Sequence, residues 1–196
     1  MFKKLLSLSA LMLVGATLVS AQSPYYAGVS ALAGKSGKFT KLGGAVQLGY
    51  NISNDVAAEL ELGQLFGDAK KTEDDIKYKI HLNETFIMGN VRYKGTYSCV
   101  NYSVFAGLGA DIAYGHVKDT DLLTGEKDKN SLKTRVRPAA QIGASLGMNI
   151  TDALSANIGA RLFFAPKYRV KDDDNVTFIA TKAVTPMLEA SLNYAF

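Results

Sequence analysis

Side chains suited to acid–base or nucleophilic chemistry are few in this sequence. His81 and His116 are its two histidines, and Ser131 with several nearby acids would complete a nucleophile–base–acid set if the fold brought them together. The competing reading is a pair of polar residues at the rim of a fold, and no local motif lifts the first above it. Asp172-Asp173-Asp174 concentrates carboxylates, but consecutive acids point in different directions and lack the spaced ligands of a calcium loop such as the EF-hand. A solvated acidic turn is the reading it supports. The sequence has neither zinc-ligand spacing nor a glycine-rich phosphate loop, so no metal and no cofactor is expected. Cys99 is the single cysteine, so no internal disulfide can form, and it sits among turn residues as a small side chain. The largest set of reactive groups is spread thinly along the chain. Glu59, Glu61, Glu84, Asp111 and Glu189 stand against Arg92, Arg135, Arg137 and Arg161, and they act together only if an architecture gathers them.

The elements that carry these charges alternate. Along 100–114, Val100, Tyr102, Val104, Ala106, Leu108, Ala110 and Ile112 share one parity, opposite Asn101, Ser103 and Asp111. The same period of two recurs over 25–34, 42–52, 56–66, 84–93, 136–150, 154–164 and the tail 185–196. A period of two marks a β-strand whose two faces meet different surroundings. Eight such strands follow, most of them long enough for the ~9–11 residues needed to cross a membrane as a strand. Their connections alternate as well. Turns at 51–55, 95–99 and 151–153 are tight and built from Asn, Asp, Gly, Ser and Thr, whereas 67–77, 117–133 and 167–182 read as long charged loops and 35–40 as a short basic one. After residue 21 no stretch comes near eighteen consecutive apolar residues, so no transmembrane helix is expected there.

A barrel of alternating strands has either an apolar inside or an apolar outside, and glycine separates the two. Gly28, Gly34, Gly43, Gly49, Gly63, Gly107, Gly109, Gly115, Gly143, Gly147 and Gly159 lie on the polar parity, and only Gly44 and Gly89 on the other. Missing side chains bring nothing to a solvated surface, but in a narrow lumen they make room for long Arg and Glu side chains. The polar parity therefore points inward, and its acids and bases are expected to pair there, Glu59, Glu61 and Glu84 with Arg92, Arg135, Arg137 or Arg161. The apolar parity faces lipid, with aromatics at the strand ends: Tyr25, Tyr50, Tyr93, Tyr102, Tyr194 and Phe196 at one end, and Phe66, Tyr114, Phe164 and Tyr168 at the other. The predicted class is all-β, an eight-stranded antiparallel up-and-down transmembrane barrel.

The tail "LEASLNYAF", with Leu188, Ala190, Leu192, Tyr194 and a final Phe196, and the segment "GNVRY" at 89–93 resemble the OmpA/OmpX-type family of eight-stranded outer-membrane β-barrels. The resemblance covers the chain from residue 22 to its end. It implies that barrel-assembly machinery reads the tail as a β-signal and that lipid and lipopolysaccharide surround the barrel, with Lys35, Lys38 and Lys41 near the headgroups. It implies short turns in the periplasm and long loops outside. Some barrels of this kind modify lipid A with a His–Ser–acid arrangement, and others are proposed to pass ions through a gated charge network.

The N-terminus fits export. Lys3 and Lys4 precede an apolar run to Val19, and Val19-Ser20-Ala21 is a small-x-small site, so residues 1–21 read as a cleaved signal peptide and 22–196 as one barrel domain. Those two lysines supply half of the formal net charge of +4, and the remainder is too small to argue for nucleic acid. The expected role is non-enzymatic: envelope integrity, adhesion or host-factor binding through loops 67–77, 117–133 and 167–182. A narrow gated channel is the alternative, and a lipid A-modifying enzyme is a further one.

Overall fold

The computed structural model describes residues 24–73, 76–121, 127–171 and 177–196. Ten strands form among them: β1 (Tyr25–Ser36), β2 (Phe39–Asn51), β3 (Val56–Glu73), β4 (Ile76–Tyr97), β5 (Val100–Asp121), β6 (Lys127–Asn149), β7 (Leu154–Phe164), β8 (Arg169–Lys171), β9 (Thr177–Ala180) and β10 (Val184–Ala195). Eight of these close a barrel in the order β1-β10-β7-β6-β5-β4-β3-β2, and β8 and β9 pair separately. Each barrel strand runs antiparallel to both neighbours, and closure comes from β1 against β10, from Tyr26 opposite Ala195 to Gly34 opposite Met187. Within the closed ring every strand has a neighbour on both sides, so the part that crosses hydrocarbon presents no open edge.

The outer wall is apolar. Leu108, Val136, Ile158 and Leu188 are each about 70 % exposed (74, 72, 70 and 69 %), a degree of exposure that is untenable for a continuous belt in water but ordinary in hydrocarbon. Inward Phe105, Asp111, Arg137, Arg161 and Met187 on the same strands are buried, so the alternation of the sequence is the alternation of the wall.

Strand height is uneven. β1, β2, β7 and β10 have 12, 13, 11 and 12 residues, close to one crossing, whereas β3, β4, β5 and β6 have 18, 22, 22 and 23. Segments 67–77 and 117–133, expected as loops, are therefore mostly ladder: Asp68 pairs with His81 and Glu73 with Ile76, and Thr120 pairs with Lys127. Charged alternation reads as a loop only if a strand must have an apolar face, and beyond the membrane edge neither face needs one. The β1–β2 connection is also tighter than a loop, a two-residue turn in which Gly37 takes a φ of 64°. At the opposite end Ser98 has a φ of 57°, a left-handed position in the two-residue turn between β4 and β5.

Inward glycines make room chiefly for rings and amides rather than for Arg and Glu. A Cβ on Gly63 would run into the Phe86 ring, one on Gly143 into Phe105, and one on Gly28 into Gln47 and Asn193. Outward Gly89 differs, because its nearest neighbour would be the Leu108 carbonyl oxygen at 3.9 Å. Gly63→Val should accordingly lower barrel stability by ~1–3 kcal/mol through overpacking. Gly89→Val should leave it nearly unchanged, both read as urea midpoints by far-ultraviolet circular dichroism in micelles.

Candidate functional site

Opposed strands bring the scattered charges into three stacked groups inside the lumen. Nearest the short turns, Glu59 on β3 receives Arg92 from β4 through Nε at 2.6 Å and a second guanidinium nitrogen at 3.1 Å. The Tyr26 hydroxyl donates to the same carboxylate, and Arg92 also donates to Ser103 Oγ at 2.7 Å. This is a two-pronged charge-assisted contact, the strongest geometry such a pair can take. Around it opens a polar vestibule of ≈ 290 Å³, to which Asn51, Lys94 and Asn101 contribute.

The middle group spans the lumen. Arg161 on β7 donates to Glu189 Oε2 on the neighbouring β10 at 2.6 and 3.0 Å and reaches across to Glu61 Oε1 on β3 at 2.7 Å. Gln141 donates to Glu61 at 2.7 Å and to Asn90 at 2.8 Å, filling the remaining acceptor positions. Between the first two groups lies Phe105, with the Arg92 guanidinium 4.6 Å from its ring centroid and that of Arg161 5.1 Å away. Both cations thus share one aromatic partner.

The third group lies toward the tall hairpins. Arg137 donates to Asp111 Oδ2 through Nε at 2.9 Å and to Glu84 at 2.8 Å, and its third nitrogen donates to the Pro166 carbonyl at 2.6 Å. Lys41 completes the group by an ion pair with Glu84. Expected near the headgroups, Lys41 is instead buried, with only 2 % of it exposed. It lies on the inward parity of β2 together with Gly43, Ala45 and Gln47.

Two sequence-predicted members do not take their expected places. Arg135 shares a parity with Arg137 and stays in register opposite the buried Ala113, yet it is exposed at the outer end of the lumen rather than paired with one of the acids. It lies over the Tyr168 ring at 5.7 Å instead. Tyr168 itself is not part of a girdle: it is 3 % exposed and packs with Phe39, Ala69, Ile80, Leu82, Ala113 and Val117. Its hydroxyl donates to the Lys133 carbonyl at 2.5 Å and its amide to Thr181 Oγ1 at 2.8 Å, so it closes the mouth that the tall hairpins surround. Burial pushes its phenol above the ordinary tyrosine value, against the opposing pull of Arg135 and Arg137.

Apolar layers separate the charges. Leu32, Ala45, Leu65, Phe86, Met88, Ala139, Phe163 and Met187 form a buried cluster in the lumen, with the Phe86 and Phe163 rings 5.4 Å apart. Inward positions are thus not uniformly polar, and the ionic groups are stacked with hydrocarbon between them. The remaining girdle residues sit on the outer wall. Tyr25 and Tyr50 touch, with ring centroids 5.1 Å apart, and Tyr93, Tyr102 and Tyr194 are exposed near the same end. Phe66, Tyr114 and Phe164 are partly exposed near the other end. Leu188, Ala190, Leu192 and Tyr194 face outward on β10, and the Phe196 amide donates to the Tyr25 carbonyl at 3.2 Å.

On the outer face of the hairpins, Asp68, His81, His116 and Ser131 stand abreast on β3, β4, β5 and β6. His81 Nδ1 is 2.5 Å from Asp68 Oδ1, and the two imidazoles are 4.8 Å apart. A catalytic triad needs one imidazole between its nucleophile and its acid. Here the acid holds His81 while Ser131 registers against His116, so the roles are divided between two rings. Asp172–Asp174 lies outside the described residues, and Cys99 is exposed in its turn.

No protein-family model and no curated protein matches the sequence. Solved structures do match. A major outer membrane protein from Thermus thermophilus aligns at 13 % identity over 88 % of this chain and 99 % of its own, with a TM-score of 0.55. OprG from Pseudomonas aeruginosa aligns at 11 % over 89 % and 96 %, with a TM-score of 0.51. The fold is that of the eight-stranded outer-membrane β-barrels. Identities this low carry the architecture, and the chemistry has to be argued from the lumen and the hairpins.

Removing one member of a buried ion group strands its partners, which typically costs 3–5 kcal/mol. Arg161→Met should therefore destabilise the barrel by about that amount, since Glu61 and Glu189 both lose their cation. Arg135→Met, at an exposed position, should change stability by less than ~0.5 kcal/mol. Urea unfolding of both variants in the same micelles tests the contrast.

Proposed function

We propose that this chain is an outer-membrane barrel whose sealed lumen anchors extracellular hairpins for surface interaction, in envelope integrity, adhesion or host-factor binding. The observation behind this reading is the pairing of an apolar, ion-plugged barrel with hairpins far taller than a crossing requires. Charges locked in bidentate pairs and separated by Phe86, Met88 and Phe163 oppose a continuous water column, and water is what an ion path needs. The chemistry left to the protein lies in what the barrel displays, and displayed segments are where binding is usually carried.

In this reading residues 1–21 direct export and are removed, and the short turns face the periplasm. The tail ending at Phe196 is read by the assembly machinery. The tall pairs β3–β4 and β5–β6, together with segment 167–182, form the outward surface. Their length supports an interaction role over a purely structural one, since β1, β2, β7 and β10 cross with little to spare.

Cells carrying a barrel with the β3–β4 and β5–β6 hairpins cut back to the height of β1–β2 should keep the folded protein in the outer membrane. They should lose adhesion to host or matrix surfaces, or serum survival. Unchanged adhesion and survival, with envelope weakening only when the whole barrel is deleted, would move the role to structure alone. Planar-bilayer recordings of the intact protein should lack regular conductance steps, and frequent steps of defined size would favour the channel.

A further inference from the structure

Four lysines stand directly opposite one another on consecutive strands: Lys70 on β3 faces Lys79 on β4, which faces Lys118 on β5, which faces Lys129 on β6. Lys70, Lys79 and Lys118 are exposed, and none of the three has an ion-pair partner among the described residues. One step further along the same alternate positions the ladder runs Thr72, Lys77, Thr120, Lys127. The intervening positions behave differently, carrying Glu73, Asp119, Asp121 and Asp128 with Lys71. Charge is therefore sorted by parity, with cations on one set and most acids on the other.

A merely solvated ribbon would not choose this register. Like charges directly opposite on neighbouring strands are destabilising, and placing the acids opposite the lysines would reverse the sign. Strands lie about 4.8 Å apart, so the row sets ammonium groups at a spacing that two neighbours can share on one phosphate. Its height is also specific. Lys70 is four residues beyond Phe66 in the outer aromatic band, about 13 Å along the strand, and flexible lysine stems reach the headgroup layer from there. The outward face of a barrel strand at that height meets lipid headgroups sideways. The one acid in the row beneath, Asp68, is already held by His81 at 2.5 Å.

We infer that the outer face of β3–β6 above the aromatic band is a binding site for the phosphate groups of the outer-leaflet glycolipid, a diphosphorylated glucosamine lipid, gripped by Lys70, Lys79 and Lys118, with Lys129 next in the same register row. The inference rests on the outer-membrane reading and moves the expected contact with that lipid from the β1–β2 turn to a defined row of residues on β3–β6. Lys35 and Lys38 at the β1–β2 turn are exposed as well, but no ladder of cations flanks them, and they serve as the comparison.

The test uses the full mature barrel in nanodiscs and measures binding of diphosphorylated lipid A, of the same lipid with its phosphates removed, and of inorganic pyrophosphate. The wild type should bind diphosphorylated lipid A at least tenfold more tightly than the dephosphorylated lipid. K70Q/K79Q/K118Q should lose that preference, and K35Q/K38Q should keep it. Equal affinity for the two lipids, or a triple variant indistinguishable from wild type, overturns the inference. So does tight pyrophosphate binding with no preference between the lipids, because it would make the row a site for free phosphate. Insertion of wild type and variants, checked by heat-modifiable gel migration, separates the two levels. A barrel that inserts but shows no lipid preference refutes only the glycolipid site, and one that fails to insert refutes the outer-membrane reading and the site with it.

Discussion

Hydrocarbon offers no hydrogen bond, and that constraint governs the whole molecule. Every backbone amide and carbonyl that crosses a bilayer must find its partner within the protein, and strands can meet this demand only by closing on themselves. The pairing of β1 with β10 is therefore the contact on which the remaining architecture depends. Once the circle is closed, alternation assigns one parity to lipid and the other to a lumen too narrow for bulk water. Charged groups on the inner parity then have no solvent to return to and must satisfy one another.

The lumen meets that second demand by layering. Glu59 with Arg92, Glu61 and Glu189 with Arg161, and Glu84 and Asp111 with Arg137 and Lys41 are each nearly complete in their own hydrogen bonds, and apolar rings separate them. Buried ion pairs are seldom a source of net stability when compared with hydrocarbon of the same shape. Their contribution here is geometric: Arg137 ties β6 to Glu84 on β4, and Arg161 ties β7 to Glu61 on β3, strands that are not neighbours in the ring. A rigid plugged cylinder of this kind suits the display of ribbons better than conduction through its centre.

Much of this was legible in the sequence because a strand reports its two faces directly. The parity of Glu59, Glu61, Arg92, Arg137, Arg161 and Glu189, read with the glycines that share it, puts them inside. Lys41 and Tyr26 were open to the same argument, since each shares a parity with inward glycines, but a lysine beside a short basic turn invites a surface assignment. Which acid meets which base was not legible, because partners across a barrel depend on strand stagger, and Arg135 keeps its inward register opposite Ala113 yet is exposed over the Tyr168 ring, a placement that periodicity does not report. Tyr168 closes the mouth from a connecting segment, where no repeat constrains side-chain direction. The hairpins were hidden for another reason: from Lys70 onward their alternation is largely one of charge sign, which hydropathy does not register.

The central claim is that hydrocarbon surrounds this cylinder while ion pairs fill it. Single cysteines introduced at Leu108, Ile158 and Leu188 in a Cys99→Ser background, spin-labelled and reconstituted in bilayers, test it most directly through collision with dissolved oxygen and with a water-soluble nickel chelate. The account predicts that all three labels meet oxygen far more often than nickel. Labels that meet the nickel chelate freely would mean that the apolar wall faces water, and the inside-out arrangement of the barrel would be wrong.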